Sequence, residues 1–501
     1  MNRKFRNRLF TFHTWLGLHL SIFFAFLFLT GSILVFGNEI QALTRPAIWT
    51  TAAQEDRTAS FGTIYKGIKD AHPHSTVQTI TKRPAPWFVD RAEGRTGWGE
   101  QVVFWTDPAT GTLVETTGYP GFQKILRELH VKLLSGQSIV YKAVAATSII
   151  LLFQIVSGLI TYRRFWKGFL RWPTTANGLR PWAGGMHRLT ALWATPLLLI
   201  SGVTAFIFLL GDFGIDGHRP KPQPAAARET VLPAGFTPDL LDRAEARART
   251  GLQGFEPTGV TLPGKTTESF RFVGYLPSMP HIRGLSTVAV DPTTLEITGA
   301  FTPNDNTSLA RWRQVVDELH YGFWGGAFSR VLWLVMGLIA TGVAVTGAVI
   351  FAARLAPEAA QYGPLRRIWR GLGIFRWGYL LLVPAVVAAG LYNFGPGAHR
   401  TSRVAPADGM PPVARLILRD PLRAGKPLDV ELRVRDPALR IARVEVNGQT
   451  PEVTGPQTAD GPAKARFRLN PEQQANDIIA HLAKEDGSET VVTFHLGPPI
   501  W

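Results

Sequence analysis

The chain of 501 residues contains no cysteine. Without a thiol there is no thiol catalysis, no iron–sulfur ligation by cysteine and no cysteine-based zinc site. Covalent attachment of a c-type haem is excluded as well, because it needs a C-x-x-C-H motif. The sequence also lacks the G-x-G-x-x-G pattern and the Walker loop, so no nucleotide or flavin domain of those kinds is encoded. Any electrons that the protein handles must come from another protein or from a quinol.

Long apolar runs dominate what is present. A helix needs roughly 20 apolar residues to cross a bilayer. Runs of sufficient length lie at 14–36, 139–161, 189–210, 329–351 and 377–394. The first follows a basic start, but it is too long for the apolar part of a signal peptide and lacks a small-residue cleavage site. We therefore interpret it as a retained anchor.

Basic residues predict the orientation of these spans. They crowd the connections between the second and third spans and between the fourth and fifth, and cytoplasmic loops carry such an excess. The N-terminus and both short connections are therefore predicted to be cytoplasmic and the C-terminus periplasmic. Because this topology accounts for much of the net charge of +16, no nucleic-acid partner is needed. The residues are Arg163, Arg164, Lys167, Arg171, Arg180 and Arg188, then Arg354, Arg366, Arg367, Arg370 and Arg376.

The predicted fold is a membrane α-helical bundle with outward α/β modules and a C-terminal β-sandwich-like domain. That last domain is predicted from alternating apolar and polar residues between proline and glycine breaks. The predicted segments are span 1 at 1–39, module 1 at 40–138, span 2 at 139–163, a cytoplasmic loop at 164–188, span 3 at 189–210, module 2 at 211–328, span 4 at 329–353, a cytoplasmic loop at 354–376, span 5 at 377–394 and the β-rich domain at 395–501.

Several passages occur twice along the chain. Glu128-Leu129-His130 and Glu318-Leu319-His320 each precede an apolar stretch. Each outward segment also contains a D-P-x-T turn between two β-like stretches, which predicts a hairpin, and a short helical pattern upstream, at 61–71 and 237–249. The chain is therefore predicted to hold two tandem parallel repeats that contribute four core spans, with the fifth span added.

Four histidines occupy equivalent places in the two copies. His13 and His187 lie near the predicted cytoplasmic face, and His130 and His320 lie near the outer face. A single histidine near a membrane interface is more often a capping or snorkelling residue. The duplication favours ligands instead, because each pair supplies two imidazoles from different helices, as the iron of a b-type haem requires.

His19 is a further candidate ligand. It lies about 240° around the helix from His13 and about 9 Å deeper, so one iron cannot take both from a regular helix. Trp193 occupies the equivalent place in the second copy. A hydrogen-bonding role in the bundle is favoured, and ligation of another centre is the alternative. Glycines in the spans fit either close helix packing or room for a flat macrocycle; they are Gly31, Gly158, Gly202, Gly337, Gly342 and Gly347.

These motifs, in this order, resemble those of the PepSY-associated transmembrane proteins over roughly residues 5–352. That group includes inner-membrane ferric-siderophore reductases of Gram-negative bacteria. The resemblance implies PepSY-like periplasmic modules and two b-type haems. Ala205, where the family usually has glycine, and the fifth span are departures that leave the substrate open. The residues that carry the resemblance are Phe12-His13-Thr14-Trp15-Leu16-Gly17-Leu18, Glu128-Leu129-His130, Met186-His187-Arg188-Leu189 and Glu318-Leu319-His320.

As implied by the resemblance, the iron ligands are His13 with His187 and His130 with His320. A quinol or a cytoplasmic reductase would supply electrons, which pass outward to a ferric siderophore or another ferric chelate. Candidate chelate contacts are Trp87, Trp98, Trp105, Lys82 and Arg83, although local packing or solvation is the favoured interpretation of each.

Two further hypotheses remain. The first is a non-redox PepSY scaffold that binds a periplasmic partner such as a peptidase. The second is a transporter built on the repeat, which the scarcity of other polar groups within the spans disfavours.

Overall fold

A computed structural model describes most of the chain. The described residues are 2–51, 56–82, 85–162, 167, 169–170, 172–174, 179–215, 217–222, 232, 236–264, 268–279, 285–355, 363–394, 402–404, 413–418, 427–434, 438–453, 463–470, 476–484 and 486–496. Arg83, Arg163, Arg164 and Arg171 lie outside them.

Eleven α-helices are found within these residues: α1 Arg3–Leu34, α2 Gly37–Ala42, α3 Phe61–Ala71, α4 Phe122–Lys132, α5 Ser138–Thr161, α6 Leu179–Asp212, α7 Pro238–Arg249, α8 Ser308–Tyr321, α9 Gly326–Leu355, α10 Pro364–Gly371 and α11 Phe375–Phe394. Among the described helices, α1, α5, α6, α9 and α11 are long and apolar enough to cross a membrane. The five predicted spans are confirmed. Helices α1 and α6 begin before the predicted spans. The prediction counted only apolar residues, and the first turns of these two helices are polar or basic.

The strands within the same residues are β1 Thr76–Thr81, β2 Asp90–Arg95, β3 Gln101–Thr106, β4 Leu113–Gly118, β5 Glu256–Thr261, β6 Phe270–Tyr275, β7 Ser286–Val290, β8 Ile297–Phe301, β9 Ser402–Val404, β10 Ala414–Leu418, β11 Leu428–Val434, β12 Leu439–Val446, β13 Lys464–Leu469, β14 Asn476–Lys484 and β15 Glu489–Leu496. The protein is thus a membrane helical bundle with β domains.

Helices α1, α5, α6 and α9 form the bundle. Helix α9 packs on both α1 and α6, and α5 packs on the same two helices. Small residues allow the close approach: a Cβ added at Gly337 of α9 would lie 2.1 Å from the Ser32 Oγ of α1. One added at Gly202 of α6 would lie 2.9 Å from Leu152 Cδ2. These two glycines therefore serve helix packing.

The bundle has two distinct ends. The C-terminus of α1 leads into α2 and the first strands, and Lys142 at the start of α5 forms an ion pair of 3.4 Å with Asp212 at the end of α6. We call this the sheet end. The opposite end, where α1 and α6 begin and α5 and α9 finish, is called the loop end.

Helix α11 lies on the periphery of the bundle. The Tyr379 hydroxyl donates to the carbonyl oxygen of His19 at 2.6 Å, and Asn393 Nδ2 donates to the carbonyl of Leu134 at 2.9 Å. Within the apolar part of α11, no residue is buried by the described residues of the protein. Lipid therefore covers most of this helix, as expected for a span outside the core of the bundle.

The sheet end carries one antiparallel sheet of eight strands in the order β4-β3-β2-β1-β5-β6-β7-β8. Strands β1 and β5 join its two halves through the pairs Thr79–Thr261, Ile80–Val260 and Thr81–Gly259. The sequence does not predict this junction. It removes two open sheet edges, which would otherwise present unpaired backbone groups.

Both predicted hairpins are present in this sheet. Strand β3 pairs with β4 and β7 pairs with β8. Asp107 Oδ1 accepts the N–H groups of Ala109 and Thr110, each at 2.9 Å. Asp291 Oδ1 accepts those of the corresponding threonines at 2.8 and 2.9 Å. The D-P-x-T passages are turns because this aspartate satisfies two backbone donors.

Helices α3 and α7 cover one face of the sheet and pack against each other. Their buried apolar residues form a core with the large side chains Phe61, Phe104, Phe270 and Phe272. The Asp242 carboxylate of α7 accepts from Gly62 N at 2.6 Å and from Ser60 Oγ at 2.8 Å, so it caps the N-terminus of α3. This cap holds the two halves together across the β1–β5 junction.

Replacement of Asp242 by alanine is expected to destabilise this junction by about 1–2 kcal/mol, as loss of a helix cap commonly does. Hydrogen exchange of the α3 amides in the full chain measures the effect. Asp239→Ala is the matched control, because Asp239 lies on the same helix and is mostly exposed beside Arg243. Equal protection of α3 in the two variants would contradict the role of Asp242.

The C-terminal residues form two sheets, β13-β11-β10-β9 and β12-β14-β15, around a shared apolar core. Trp98, in the turn between β2 and β3, is only 1% exposed and lies in this core. Trp105 is buried as well: this side chain is 6% exposed and packs with Phe88 and Ile48. Neither ring is available as a chelate contact, which agrees with packing, the favoured interpretation of both. Burial of a large aromatic ring stabilises the fold.

Candidate cofactor site between the helices

The first pair of histidines lies at the loop end of the bundle. His13 of α1 places Nδ1 2.8 Å from Ser157 Oγ of α5. His187 of α6 places Nδ1 2.9 Å from the carbonyl oxygen of Val343 and 3.2 Å from Thr346 Oγ1 of α9. His13 and His187 both line one cavity between the helices.

The second pair lies at the sheet end. His130 of α4 places Nδ1 3.0 Å from Thr30 Oγ1 of α1. His320 of α8 places Nδ1 2.7 Å from Thr204 Oγ1 of α6, and its ring packs 4.9 Å from the Phe208 ring. The short helices α4 and α8 thus hold their histidines against the ends of long spans.

The partners of Nδ1 bear on the tautomers of the four imidazoles. The Val343 carbonyl can only accept, so His187 Nδ1 carries the proton. Each hydroxyl partner also lies within hydrogen-bond distance of a carbonyl of its own helix, and when it donates its one proton there, it accepts from the imidazole. These donations are Ser157 to Gln154 at 3.2 Å, Thr30 to Phe26 at 2.8 Å, Thr204 to Ile200 at 2.7 Å and Thr346 to Gly342 at 2.7 Å.

With the proton on Nδ1, each Nε2 carries a free lone pair. The contacts of these four rings with the hydroxyls and with Val343 are all made by Nδ1. A neutral imidazole with Nδ1–H held by a neighbour and a bare Nε2 is the form that binds a metal ion.

Glycines make room for three of the four rings. A Cβ added at Gly31, Gly158 or Gly347 would lie 3.0 Å from His130 Cε1, 3.4 Å from His13 Cε1 or 3.2 Å from His187 Cε1. These glycines follow Thr30, Ser157 and Thr346 directly. Each of these three imidazoles therefore contacts a hydroxyl and the glycine next to it. Ala205 occupies the fourth place, where His320 keeps its bond to Thr204.

A cavity of about 870 Å³ opens between α1, α5, α6 and α9 at the loop end. His13 and His187 both line it, and Phe24, Phe28 and Leu151 are among its apolar walls. Cofactor pockets commonly measure ~300–1,000 Å³ and are mostly apolar. Two bare imidazole nitrogens in one such cavity fit the axial ligation of a b-type haem.

The two histidines at the sheet end are neutral at ordinary pH. Burial, and then the Arg127 guanidinium, lower the pKa of His130 to about 4. Burial, and then His130, lower the pKa of His320 to about 3. Neither imidazole therefore has to lose a proton before one of its nitrogens can bind a metal ion.

The glutamates of the two E-L-H passages differ in their surroundings. Burial opposes ionisation of Glu128, but the hydrogen bond from Lys124 at 2.9 Å holds its pKa below the usual range. Burial and then Asp317 raise the pKa of Glu318, which has no ion pair among the described residues. The duplication therefore preserves the position of the histidine and not the environment of the glutamate.

His19 lies on another face of α1. Its Nδ1 donates to the Trp15 carbonyl at 2.7 Å, and its ring packs 4.7 Å from Trp15 and 4.3 Å from Phe375 of α11. It does not line the described cavity. The structure thus places His19 at the contact with the fifth span, outside the cavity that His13 and His187 line.

The other candidate residues are dispersed. Lys82 forms an ion pair of 3.6 Å with Glu245 on the helix-covered face of the sheet. Trp87 is half-buried near Arg330. No three histidine, aspartate or glutamate side chains come together as a metal centre within the described ranges. A haem iron does not require such a group, because it takes only two axial ligands from the protein.

Sequence reasoning missed the partners of the histidines. The step of serine or threonine plus a small residue was a usable signal at Ser157 and Thr346, since it recurs opposite each histidine. The Val343 carbonyl and Gln154, whose Nε2 donates to the His13 carbonyl at 3.1 Å, had no signal, because any residue offers a carbonyl.

Comparison with known families gives one match over most of the chain. The protein family described as "PepSY-associated TM region" matches residues 10–354. These residues include all four histidines and the eight-stranded sheet. No curated protein matches the chain. The match covers well over half of the 501 residues. The chain therefore belongs to the family of PepSY-associated transmembrane regions.

Proposed function

We propose that this protein is an inner-membrane haem b oxidoreductase of a bacterium, which reduces ferric siderophores or similar ferric chelates in the periplasm. The supporting observation is the arrangement of the four imidazoles. Each pair presents two bare Nε2 atoms from different helices, one pair at either end of the bundle. In this proposal the two halves of residues 10–354 are tandem copies of one unit.

The residues of each site have separate tasks. His13 with His187, and His130 with His320, would hold the haem iron through Nε2. Ser157, Thr346, Thr30 and Thr204 fix the rings by accepting Nδ1–H, which also raises the basicity of the ligating nitrogen. When bound, haem b supplies a one-electron carrier whose potential is set by its axial ligands and its burial.

Two sites are needed to cross the membrane. His13 and Thr30, which mark the two levels on α1, are separated by roughly 25 Å at a rise of 1.5 Å per residue. The hydrocarbon core measures about 30 Å. A carrier at each end therefore covers most of the distance between a donor at the loop end and a chelate at the sheet end.

Orientation follows from the basic residues. Arg180, Arg188, Arg366 and Arg370 lie at the loop end within the described part of the chain. Positive-inside logic then places the loop end in the cytoplasm and both β domains in the periplasm. The donor is a quinol or a cytoplasmic reductase.

The absorption spectrum tests the proposal. The full chain, purified after expression with ample haem, is expected to show a Soret band and α and β bands that sharpen on reduction. Ferric chelates added without oxygen should then reoxidise it. A colourless protein would overturn the proposal and support the alternative, a non-redox scaffold for a periplasmic partner such as a peptidase.

Replacement of Thr30 by valine is expected to lower the haem affinity of the outer pair by about tenfold or more. The variant keeps the shape of the side chain but removes the hydroxyl 3.0 Å from His130 Nδ1, so that the imidazole keeps only its backbone partner Leu27. Loss of such a side-chain partner commonly costs 10–100-fold. Haem retained per chain during competition with an apo haem-binding protein measures the effect. Thr341→Val is the control, because among the described residues the Thr341 hydroxyl bonds to Gly337 of its own helix and to no histidine. Equal retention in both variants would contradict the role of Thr30.

A further inference from the structure

The face of the eight-stranded sheet opposite α3 and α7 points toward the membrane bundle. Val103 and Trp105 of β3 lie on this face and form a small core with Ala42 of α2 and Ile48. Trp87 packs on the same core, and its ring lies 5.7 Å from the Arg330 guanidinium of α9. We call this face the lower face of the sheet.

Two arginines occupy equivalent positions on the lower face. Side chains alternate along a strand, and Ala92 and Phe272 belong to the core under the helices. Their neighbours Arg91 of β2 and Arg271 of β6 therefore point the other way. In the register of the sheet, Arg91 stands opposite Thr81, and Arg271 stands opposite Thr261.

The space between the arginines holds small polar residues. Strands β1 and β5 separate β2 from β6 and bring Thr79, Thr81, Thr261 and Gly259 to the lower face. The two arginines stand in cross-strand rows two residues apart, because Thr81 pairs with Gly259 and Thr79 with Thr261. At about 4.8 Å per strand spacing and about 3.4 Å per residue along a strand, their backbones lie roughly 16 Å apart. Two arginine side chains can therefore reach one ligand between them from opposite sides.

The charges on this face are incompletely paired. Arg91 forms an ion pair of 2.6 Å with Glu93, a carboxylate of the same strand. Arg271 has no hydrogen bond or ion pair from its side chain within the described residues, and the Nε atoms of both arginines are buried without a partner. A buried Nε–H that has lost water without gaining an acceptor would be satisfied by a hydrogen bond to an anion, and such charge-assisted bonds are stronger than neutral ones.

The lower face also extends over the outer histidines. Tyr275 follows Arg271 and Val273 on the same face of β6. Burial, and then the nearby Glu318 carboxylate of α8, raise the pKa of Tyr275. Glu318 stands two residues before His320. A ligand held by the arginines would therefore lie between the sheet and the end of the bundle that carries His130 and His320.

We propose that Arg91 and Arg271 form a docking site for the carboxylate groups of an anionic ferric chelate. Their planar guanidinium groups match carboxylates in a two-bond geometry, and the threonine hydroxyls between them supply further donors. The chelate identity depends on the function proposed above, whereas the anion site depends only on the sheet. Arg271 contributes more than Arg91, because Glu93 already offsets part of the Arg91 charge.

Binding of gallium(III) citrate to the full haem-loaded chain tests this site, since gallium forms an anionic complex that cannot be reduced in the assay. Arg271→Gln is expected to weaken binding by about tenfold or more, and Arg91→Gln by a smaller factor. A neutral gallium(III) trishydroxamate should be affected less than about twofold in either variant. Arg271→Lys keeps the charge without the fork and should give an intermediate loss.

Arg247→Gln is the matched control, because Arg247 lies on α7 at the opposite face and the change in charge is the same. Unchanged gallium citrate binding in Arg271→Gln, or an equal loss in Arg247→Gln, would overturn the site. If citrate alone binds as tightly as gallium citrate and this binding also depends on Arg271, the ligand of the site is a free polycarboxylate. The proposal of a ferric chelate would then be wrong.

The two proposals fail separately. A colourless chain that still binds gallium citrate through Arg271 keeps the anion site and overturns the haem function. A haem-loaded chain that reduces ferric chelates, with Arg271→Gln binding like the wild type, overturns the anion site alone.

Discussion

Replacement of His13 by alanine is expected to reduce the haem content of the purified chain from about two to about one. The loop-end cavity would keep His187 but lose the second imidazole that lines it, and a site built for two axial ligands holds the cofactor less tightly with one. Since altering even a partner of a ligand commonly costs 10–100-fold in affinity, losing the ligand itself should empty the site during purification. Haem per chain, measured as the pyridine complex, gives the result.

His19→Ala is the matched control for this experiment. It removes the same side chain from the same helix, but from the contact with Trp15 and Phe375. Haem content should stay at about two in this variant. Loss of haem from His19→Ala, with full haem in His13→Ala, would reverse the assignment and make His19 the ligand.

Replacement of Arg330 by methionine is expected to destabilise the bundle by about 3 kcal/mol or more. Arg330 of α9 is nearly buried, and its Nη2 donates to Glu39 at 2.7 Å and to the Val35 carbonyl at 2.7 Å. Its guanidinium also lies 4.5 Å from the Phe36 ring. Removing one partner of a buried ion pair leaves the other charge unpaired, which commonly costs ~3–5 kcal/mol. Denaturant unfolding in mixed micelles measures the change.

Two further variants test whether the loss of stability comes from the unpaired Glu39 carboxylate. Arg376→Met removes an arginine that stacks on Trp377 and has no acidic partner among the described residues, so it should cost much less. Adding Glu39→Leu to Arg330→Met should recover part of the loss, because the unpaired carboxylate is then gone. A double variant less stable than Arg330→Met alone would contradict this explanation.

The four candidate histidines could be predicted from the sequence, but the residues that hydrogen-bond to them could not. His13, His130, His187 and His320 recur at equal places in a duplicated pattern, which any reader of the sequence can find. Their hydrogen-bond partners stand far along the chain, as with His13 and Ser157, which are 144 residues apart. Spacing of that length carries no information until the helices are packed.

The sheet follows the same division. Asp107 and Asp291 predict their own hairpins, because an aspartate that accepts the next backbone N–H groups makes a turn without outside help. The pairing of β1 with β5 depends on two edges meeting across the two halves, and nothing local indicates it. Trp98 illustrates the same limit: its sequence surroundings suggest a loop, and the C-terminal domain buries it.

The sequence by itself determined the five spans, the hairpins, the helices at α3 and α7 and the four repeated histidines, since each is a pattern within a few turns or strands. Only the tertiary structure decided which imidazole meets which hydroxyl, that His19 lies at the fifth span, and that Arg91 and Arg271 share one face. Those outcomes depend on contacts between distant segments, whose free energy exists only once the apolar surfaces between them are buried.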